Sequence, residues 1–344
     1  MIAKMSKKTI GVLGILLLLI QAGSFAGGRT QATDVRQITV YSGRGESLVQ
    51  PIIERFEQMT GIQVQVRYGG TSELVVLMAE EGNRTPADVF WAQDGGALGF
   101  MAQAGRFSPL PATITQQVPE LYIGQNRTWV ATSGRARVLA YSPQRTNAAE
   151  HPTSIFDLTD SRFAGRVGWA PTNGSLQSHI TAMRVTYGDD VTLQWMEAMA
   201  RNNTQVYRNN TALVEAIAAG EIDYAITNNY YLLRFLAQDP QYPVRQRFFA
   251  DKDIGNLVNV AGVGILRTSQ RTELAQEFVK FLLSEYAQGL FTNTIYEYPV
   301  VPSVPASPAL ESFQQVLLSA PDVAIGDIYD LEGTLALMRR AGIL

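Results

Sequence analysis

The feature that most constrains this chain is an alternation of two hydrophobic periods near its start. Ile38-Thr39-Val40-Tyr41 is β-branched and aromatic, and Ser42-Gly43-Arg44-Gly45-Glu46 interrupts it. Leu48, Ile52, Ile53 and Phe56 then recur at helical spacing, and Gly61 stands where a helix C-cap belongs. Ile62, Val64 and Val66 alternate with polar residues, which is the period of a strand. A helix over 73–81 and a strand at Ala87-Asp88-Val89-Phe90-Trp91 follow. This β-α-β-α-β order predicts a largely parallel sheet with right-handed crossovers, hence an α/β fold.

The alternation continues. Trp129 to Tyr141 reads as one long extended segment around Ser133-Gly134-Arg135-Ala136-Arg137. Arg166 to Trp169 reads as a strand, and Pro171 to Ser175 leads into a helix through Ile180 and Met183. Separate helices are expected over 191–199, 211–219 and 273–283, with a last one near 331–341. Val258 to Leu266 is a second apolar extended segment. Two α/β sets joined by such segments predict two lobes with a cleft between them.

Composition narrows the function. The 344 residues carry a net charge of -3, so no electrostatic footprint for nucleic acid is present. Lys4, Lys7 and Lys8 precede an apolar run from Ile10 to Ile20, and Ser24-Phe25-Ala26 offers a small-x-small cleavage site. That is the layout of a secretory signal peptide over 1–26. The run is short for a membrane span, so no stable membrane insertion is expected after cleavage. There is no cysteine, which removes disulfides, thiolate ligands and a lipid-acceptor cysteine.

Little supports catalysis. The only histidines are His151 and His179, and neither a Gly-x-Ser-x-Gly elbow nor His-Glu-x-x-His occurs. Anion binding has more behind it. Thr172-Asn173-Gly174-Ser175 and Asn210-Thr211 each open a helix, so their residues serve either as plain N-caps or as an anion cradle. Arg135 and Arg137 add positive charge, either for a ligand or for structural ion pairs.

Asn228-Asn229-Tyr230-Tyr231 closes a strand-like run, Ile222 to Ile226, and opens an apolar helical run from Leu232. Ligands of open α/β sheets bind outside such strand ends. Two adjacent phenols there are either packing or a pair of hard oxygen ligands. With no cysteine and scarce histidine, any transition-metal site has to be oxygen-rich, which suits hard cations. A phenol titrates near ~10, so only a strongly acidic cation such as Fe(III) holds it as phenolate at neutral pH.

At these motifs the chain resembles the bacterial periplasmic ferric-iron-binding proteins, transferrin-like receptors of iron ABC transporters. The resemblance rests on Ile38-Thr39-Val40-Tyr41, Thr85 to Phe90, Ser133 to Val138 and Gly168-Trp169-Ala170-Pro171-Thr172-Asn173. It continues through Asn209-Asn210-Thr211, Gly220-Glu221-Ile222-Asp223, Asn228 to Tyr231 and Tyr298-Pro299. It implies a two-lobed periplasmic solute-binding fold hinged by crossing strands. The implied division is 37–133 with 265–312 as the N-terminal lobe, and 134–264 with 313–344 as the C-terminal lobe. It implies Fe(III) bound by Tyr230 and Tyr231 with a synergistic anion, carbonate or phosphate. The anion contacts implied are Arg135, Asn173, Gly174, Ser175, Asn210 and Asn228. The implied setting is the periplasm, as a monomer and not an enzyme, with an ABC transporter permease as partner.

The chain also departs from the pattern. No histidine follows the first strand, Gln93 stands where some members place a glutamate, and Ser175-Leu176-Gln177 lacks the third tyrosine of others. Only the two tyrosines transfer as metal ligands, and Arg44, Glu46, Gln93 and Asp94 are candidates for lining the cleft. A receptor for another small anionic or organic solute on the same fold is the alternative.

Overall fold

The computed structural model describes residues 36–344, so the signal-peptide segment lies outside the described residues. The first strand, β1 (Gln37–Ser42), is followed by α1 (Glu46–Thr60), β2 (Gln63–Tyr68), α2 (Thr71–Glu81), β3 (Val89–Ala92) and α3 (Gly95–Gln103). Helix α1 buries Leu48, Ile52, Ile53 and Phe56, the residues that share one face at helical spacing. Gly61 ends it in the left-handed conformation (φ 69°), its N–H donating to the Glu57 carbonyl. A short α4 (Ala112–Thr115) leads to β4 (Trp129–Tyr141). Beyond it lie β5 (Val167–Trp169), α5 (Gly174–Arg201), β6 (Gln205–Val206), α6 (Asn210–Ala219), β7 (Tyr224–Asn228) and α7 (Asn229–Gln238). The chain finishes with β8 (Arg245–Arg247), β9 (Val258–Ile265), α8 (Thr272–Leu282), α9 (Glu285–Leu290), α10 (Phe313–Ser319) and α11 (Leu331–Arg340).

The strands pair in the order β2-β1-β3-β9-β4-β7-β5-β6, with β8 also on β4. The expected parallel pairing holds at both flanks. Ile38 faces Val64 and Val40 faces Val89 on one side, and β5 runs parallel to β6 and β7 on the other. It fails at the centre, where β9 runs antiparallel to β3 and to β4, and β4 antiparallel to β7. The cause is the long extended segments. The first half of β4 pairs with β9 (Trp129 with Gly264, Ala136 with Val258). Its second half pairs with β7 and β8 (Arg137 with Asn228, Leu139 with Arg247). One 13-residue strand therefore belongs to both halves of the molecule.

Two main clusters of buried side chains make the core, and the first continues from the β1 side into α6 and α7 through Leu213, Ile217, Tyr230 and Leu232. Ile38, Phe56, Trp91 and Phe278 meet in one, where Phe278 packs edge-on against Phe56 at 5.1 Å. Trp169, Trp195, Met196 and Leu139 meet in the other, around α5 and β5. The two helices expected over 180–199 are present as the two arms of α5, which meet at Gly188, whose φ of 82° and ψ of 169° are not helical.

Candidate functional site

Strand β7 delivers its carboxyl end to the first turn of α7, and there Tyr230 and Tyr231 sit. Both are buried, at 0% and 7% exposure, with rings stacked 4.3 Å apart. Gln93, from the loop after β3, donates Nε2 to the Tyr230 hydroxyl at 2.8 Å. Burial pushes the Tyr230 phenol well above its ordinary value, Tyr231 and Glu297 adding to that, while Arg44 and Arg135 pull it back. The phenol is therefore neutral at neutral pH until a ligand offsets the cost of its charge.

Three buried guanidiniums surround the pair. Arg44, just after β1, grips Glu297 with two bonds, Nη1 to Oε1 at 3.0 Å and Nη2 to Oε2 at 2.8 Å. Ser133 on β4 donates to the same carboxylate at 2.6 Å. Burial lowers the Arg44 pKa, but the charge and hydrogen bonds of Glu297 together with the two tyrosines outweigh it and the net shift is upward. Arg135 and Arg137, both on β4, have no carboxylate partner among the described residues. Arg137 donates to Asn228 Oδ1 at 3.1 Å and to the Ile226 carbonyl at 3.0 Å. Arg135 reaches Ser175 Oγ at 3.5 Å, and its Nε and Nη1 are buried without a partner. Burial lowers both pKa values, that of Arg137 to about 9, so Arg137 stays charged at neutral pH. A buried charge without a counter-charge is costly, and a bound anion is one way to lower that cost.

The residues expected to hold an anion come together at the start of α5. Asn173 caps that helix through Oδ1 to the Ser175 N–H at 3.0 Å and accepts from Asn210 Nδ2 at 3.4 Å. Ser175 Oγ accepts from Asn228 Nδ2 at 3.1 Å. Gly174 is the first residue of α5, and a Cβ there would lie 2.5 Å from Asp94 Oδ2. So plain capping and a clustered polar pocket coexist at one helix end.

A cleft of about 400 Å³ opens beside this cluster, with Arg44, Gln93, Asn173, Gly174 and Tyr231 in its wall. The other two cleft candidates are placed differently. Asp94 is buried as the N-cap of α3, Oδ1 accepting from the Ala97 N–H at 2.9 Å and from Ser178 Oγ at 2.6 Å. It bridges β3 to α5, and burial raises its pKa. Glu46 is exposed on the first turn of α1 and is not in the cleft wall. His179 is buried in α5 beside Arg137, and burial holds its pKa down near 3, so it is neutral. Sequence reasoning missed Glu297. Nothing local marks it, because its partners Arg44 and Ser133 are 253 and 164 residues away in the chain.

Two α/β halves sharing a long strand, with a polar cleft at helix N-termini between them, define a two-lobed solute-binding protein. Comparison with known proteins places the chain more closely. The profile of the family described as "Bacterial extracellular solute-binding protein" matches residues 41–289. A protein of Neisseria meningitidis named "Major ferric iron-binding protein" is 30% identical over 329 residues, covering 94% of this chain and 98% of that one. A Serratia marcescens protein named "Fe(3+)-binding periplasmic protein" is 30% identical over 341 residues, covering 98% of this chain and 100% of that one. The crystal structure of iron-bound HitA from Pseudomonas aeruginosa is 32% identical with a TM-score of 0.84, covering 89% of this chain and 99% of that one. The chain belongs to the bacterial extracellular solute-binding proteins, in their periplasmic ferric-iron-binding branch. These are solute-binding proteins of ABC transport, not enzymes. No helix among the described residues is long and apolar enough to cross a membrane.

Proposed function

We propose that this chain is a periplasmic receptor for Fe(III), which it holds through the phenolates of Tyr230 and Tyr231 together with a synergistic anion, carbonate or phosphate. The anion lies between Arg135 and the polar cluster of Asn173, Gly174, Ser175, Asn210 and Asn228. The observation that carries the reading is the charge around the tyrosines. Three buried guanidiniums face the paired carboxylate of Glu297 and the buried Asp94, whose pKa burial raises, and two N–H-bearing atoms of Arg135 have no partner. Such surroundings favour a bound anion, and the guanidiniums of Arg44 and Arg135 offset part of the cost that burial puts on a phenolate.

Iron is the cargo. As it binds, each tyrosine loses its proton to solvent and supplies one phenolate oxygen. Gln93 Nε2, already 2.8 Å from the Tyr230 oxygen, keeps donating to it as the charge develops. The lobes, 37–133 with 265–312 and 134–264 with 313–344, close on the cargo by hinge motion about β4 and β9. The closed form, as a monomer, then presents the iron to the permease, which distinguishes it from the open form.

Adding ferric citrate to the mature chain should produce a visible phenolate-to-iron charge-transfer band. Replacing both tyrosines (Tyr230→Phe with Tyr231→Phe) should abolish the band and weaken iron binding by several orders of magnitude. A double variant that keeps both band and affinity defeats the assignment.

A further inference from the structure

The polar cluster at the start of α5 holds hydrogen-bond donors and an acceptor that do not pair with one another. Asp94 and Arg135 are only 2% and 1% exposed, yet no ion pair among the described residues joins them. Asp94 Oδ1 is satisfied by the Ala97 N–H and by Ser178 Oγ, whereas its Oδ2 is buried without a partner. Arg135 Nε and Nη1 have no partner either, nor does Asn259 Nδ2.

The fold brings these atoms to one place. Asn259 on β9 stands opposite Arg135 on β4 in the antiparallel ladder, so both side chains leave the same face of the sheet. Asn259 Oδ1 accepts from the N–H of Gly95, the residue after Asp94, at 3.1 Å. Helix α5 closes the cluster from the other half. Ser175 and Ser178 lie three residues apart on one helix face. Arg135 Nη2 reaches the first at 3.5 Å, and the second donates to Asp94 at 2.6 Å. Asp94 Oδ2 lies against the first turn of α5, 2.5 Å from where a Cβ on Gly174 would stand.

An oxygen ligand here meets opposite demands. Towards Arg135 and Asn259 it has to accept hydrogen bonds. Towards Asp94 it has to donate one, because an ionised carboxylate only accepts. Burial works against the Asp94 charge, while the bonds from Ser178 and Ala97 and the charge of Arg135 work for it. An oxyanion that carries a proton meets both demands. One without a proton sets its own negative oxygen against the carboxylate, with no water to screen the two.

We propose that Asp94 is a specificity-determining residue of the anion site. Its Oδ2 accepts the O–H of a protonated oxyanion whose other oxygens bind Arg135 and Asn259, and it excludes oxyanions that carry no proton. Hydrogenphosphate and bicarbonate belong to the admitted class, and sulfate to the excluded one. This rests on the anion cluster proposed above and adds the residue that selects among anions.

The test is calorimetric titration of the iron-free mature chain at neutral pH, with inorganic phosphate and with sulfate as probes. Both are tetrahedral oxyanions, and at that pH only phosphate carries a proton. Wild type should prefer phosphate by about a hundredfold or more, since a site built to bond a hydroxyl rejects the analogue lacking it. Asp94→Asn keeps an oxygen for the Ala97 and Ser178 bonds and puts an amide donor where Oδ2 was. It should gain sulfate affinity and bring the two anions within about tenfold of each other. Ser178→Ala leaves Oδ2 in place and should keep the preference. Equal affinities in wild type overturn the proposal without any variant, so the test does not depend on Asp94→Asn folding. A preference that survives intact in Asp94→Asn also overturns it, because capping α3 is then all that Asp94 does. So does a preference lost equally in Ser178→Ala, because Asp94 then acts only by holding α5 in position. No binding of either anion by wild type overturns it together with the anion cluster. Absence of the visible band with ferric citrate strikes the tyrosines instead, so the failures are distinguishable.

Discussion

At the scale of single residues, the site is a problem of buried charge. Arg44 and Glu297 are both fully enclosed and satisfy each other with two bonds. Removing one member of such a pair leaves the other charged and desolvated, which costs ~3–5 kcal/mol. Glu297→Gln should therefore lower stability by about that amount, read from the denaturant midpoint. Arg44→Met with Glu297→Leu should recover most of the loss, since no charge is then stranded. Recovery by the double variant separates a charge effect from a packing effect. Tyr230 and Tyr231 show why local sequence is ambiguous. Their burial and stacking are those of ordinary core aromatics. Only the guanidiniums brought in from β4 and from the loop after β1 set their surroundings apart.

At the scale of elements, the N-terminal turns of α5 carry direct contacts between the two halves. Asp94 Oδ1 accepts from Ser178, Ser72 donates to Gln177, and Gly174 lies against the Asp94 carboxylate. A methyl group at Gly174 would meet Asp94 Oδ2 at 2.5 Å and Thr71 Cβ at 3.3 Å. Gly174→Ala should therefore push α5 away from α2 and the β3–α3 loop. Iron affinity, measured by competition with a chelator, should fall about tenfold or more, the ~1–3 kcal/mol that overpacking costs. Gly326→Ala, where a Cβ meets nothing within 4 Å, should leave affinity unchanged and serves as the control. Much at this scale was legible in sequence. The 3.6 and 2 periods place α1, β2, α8 and the long β4 close to where they stand. The antiparallel centre of the sheet was not legible, because which strands lie side by side is decided by pairing across the chain and not by either period.

At the scale of the whole molecule, capture is linked to protons. Tyr230 has a pKa raised by burial in the iron-free chain, so it is protonated there at neutral pH. Binding as phenolate releases that proton, and binding through both tyrosines releases two. Affinity must then rise with pH and fall on acidification, because protons compete with the metal. Iron affinity measured at fixed anion concentration should gain about two orders of magnitude per pH unit if both phenols ionise, and about one if a single phenol does. A flat profile from pH 6 to 8 would contradict phenolate ligation.

What the sequence by itself determined was local and periodic. The alternation of strand and helix, the glycine and asparagine residues that begin and end helices, and the absence of thiols all follow from spacing and composition. The tyrosine pair and the helix openings at Asn173 and Asn210 could be named as candidates on the same basis. The tertiary structure alone decided which candidates meet. It made β4 a strand shared by both halves, turned the centre of the sheet antiparallel, and spent Asp94 on capping α3 while leaving Glu46 in solvent. It also brought Glu297 to Arg44 across 253 residues. The physical reason is range. Periodicity reports each residue's own element, whereas burial, charge compensation and cleft volume depend on partners that only the folded chain brings within a few ångströms.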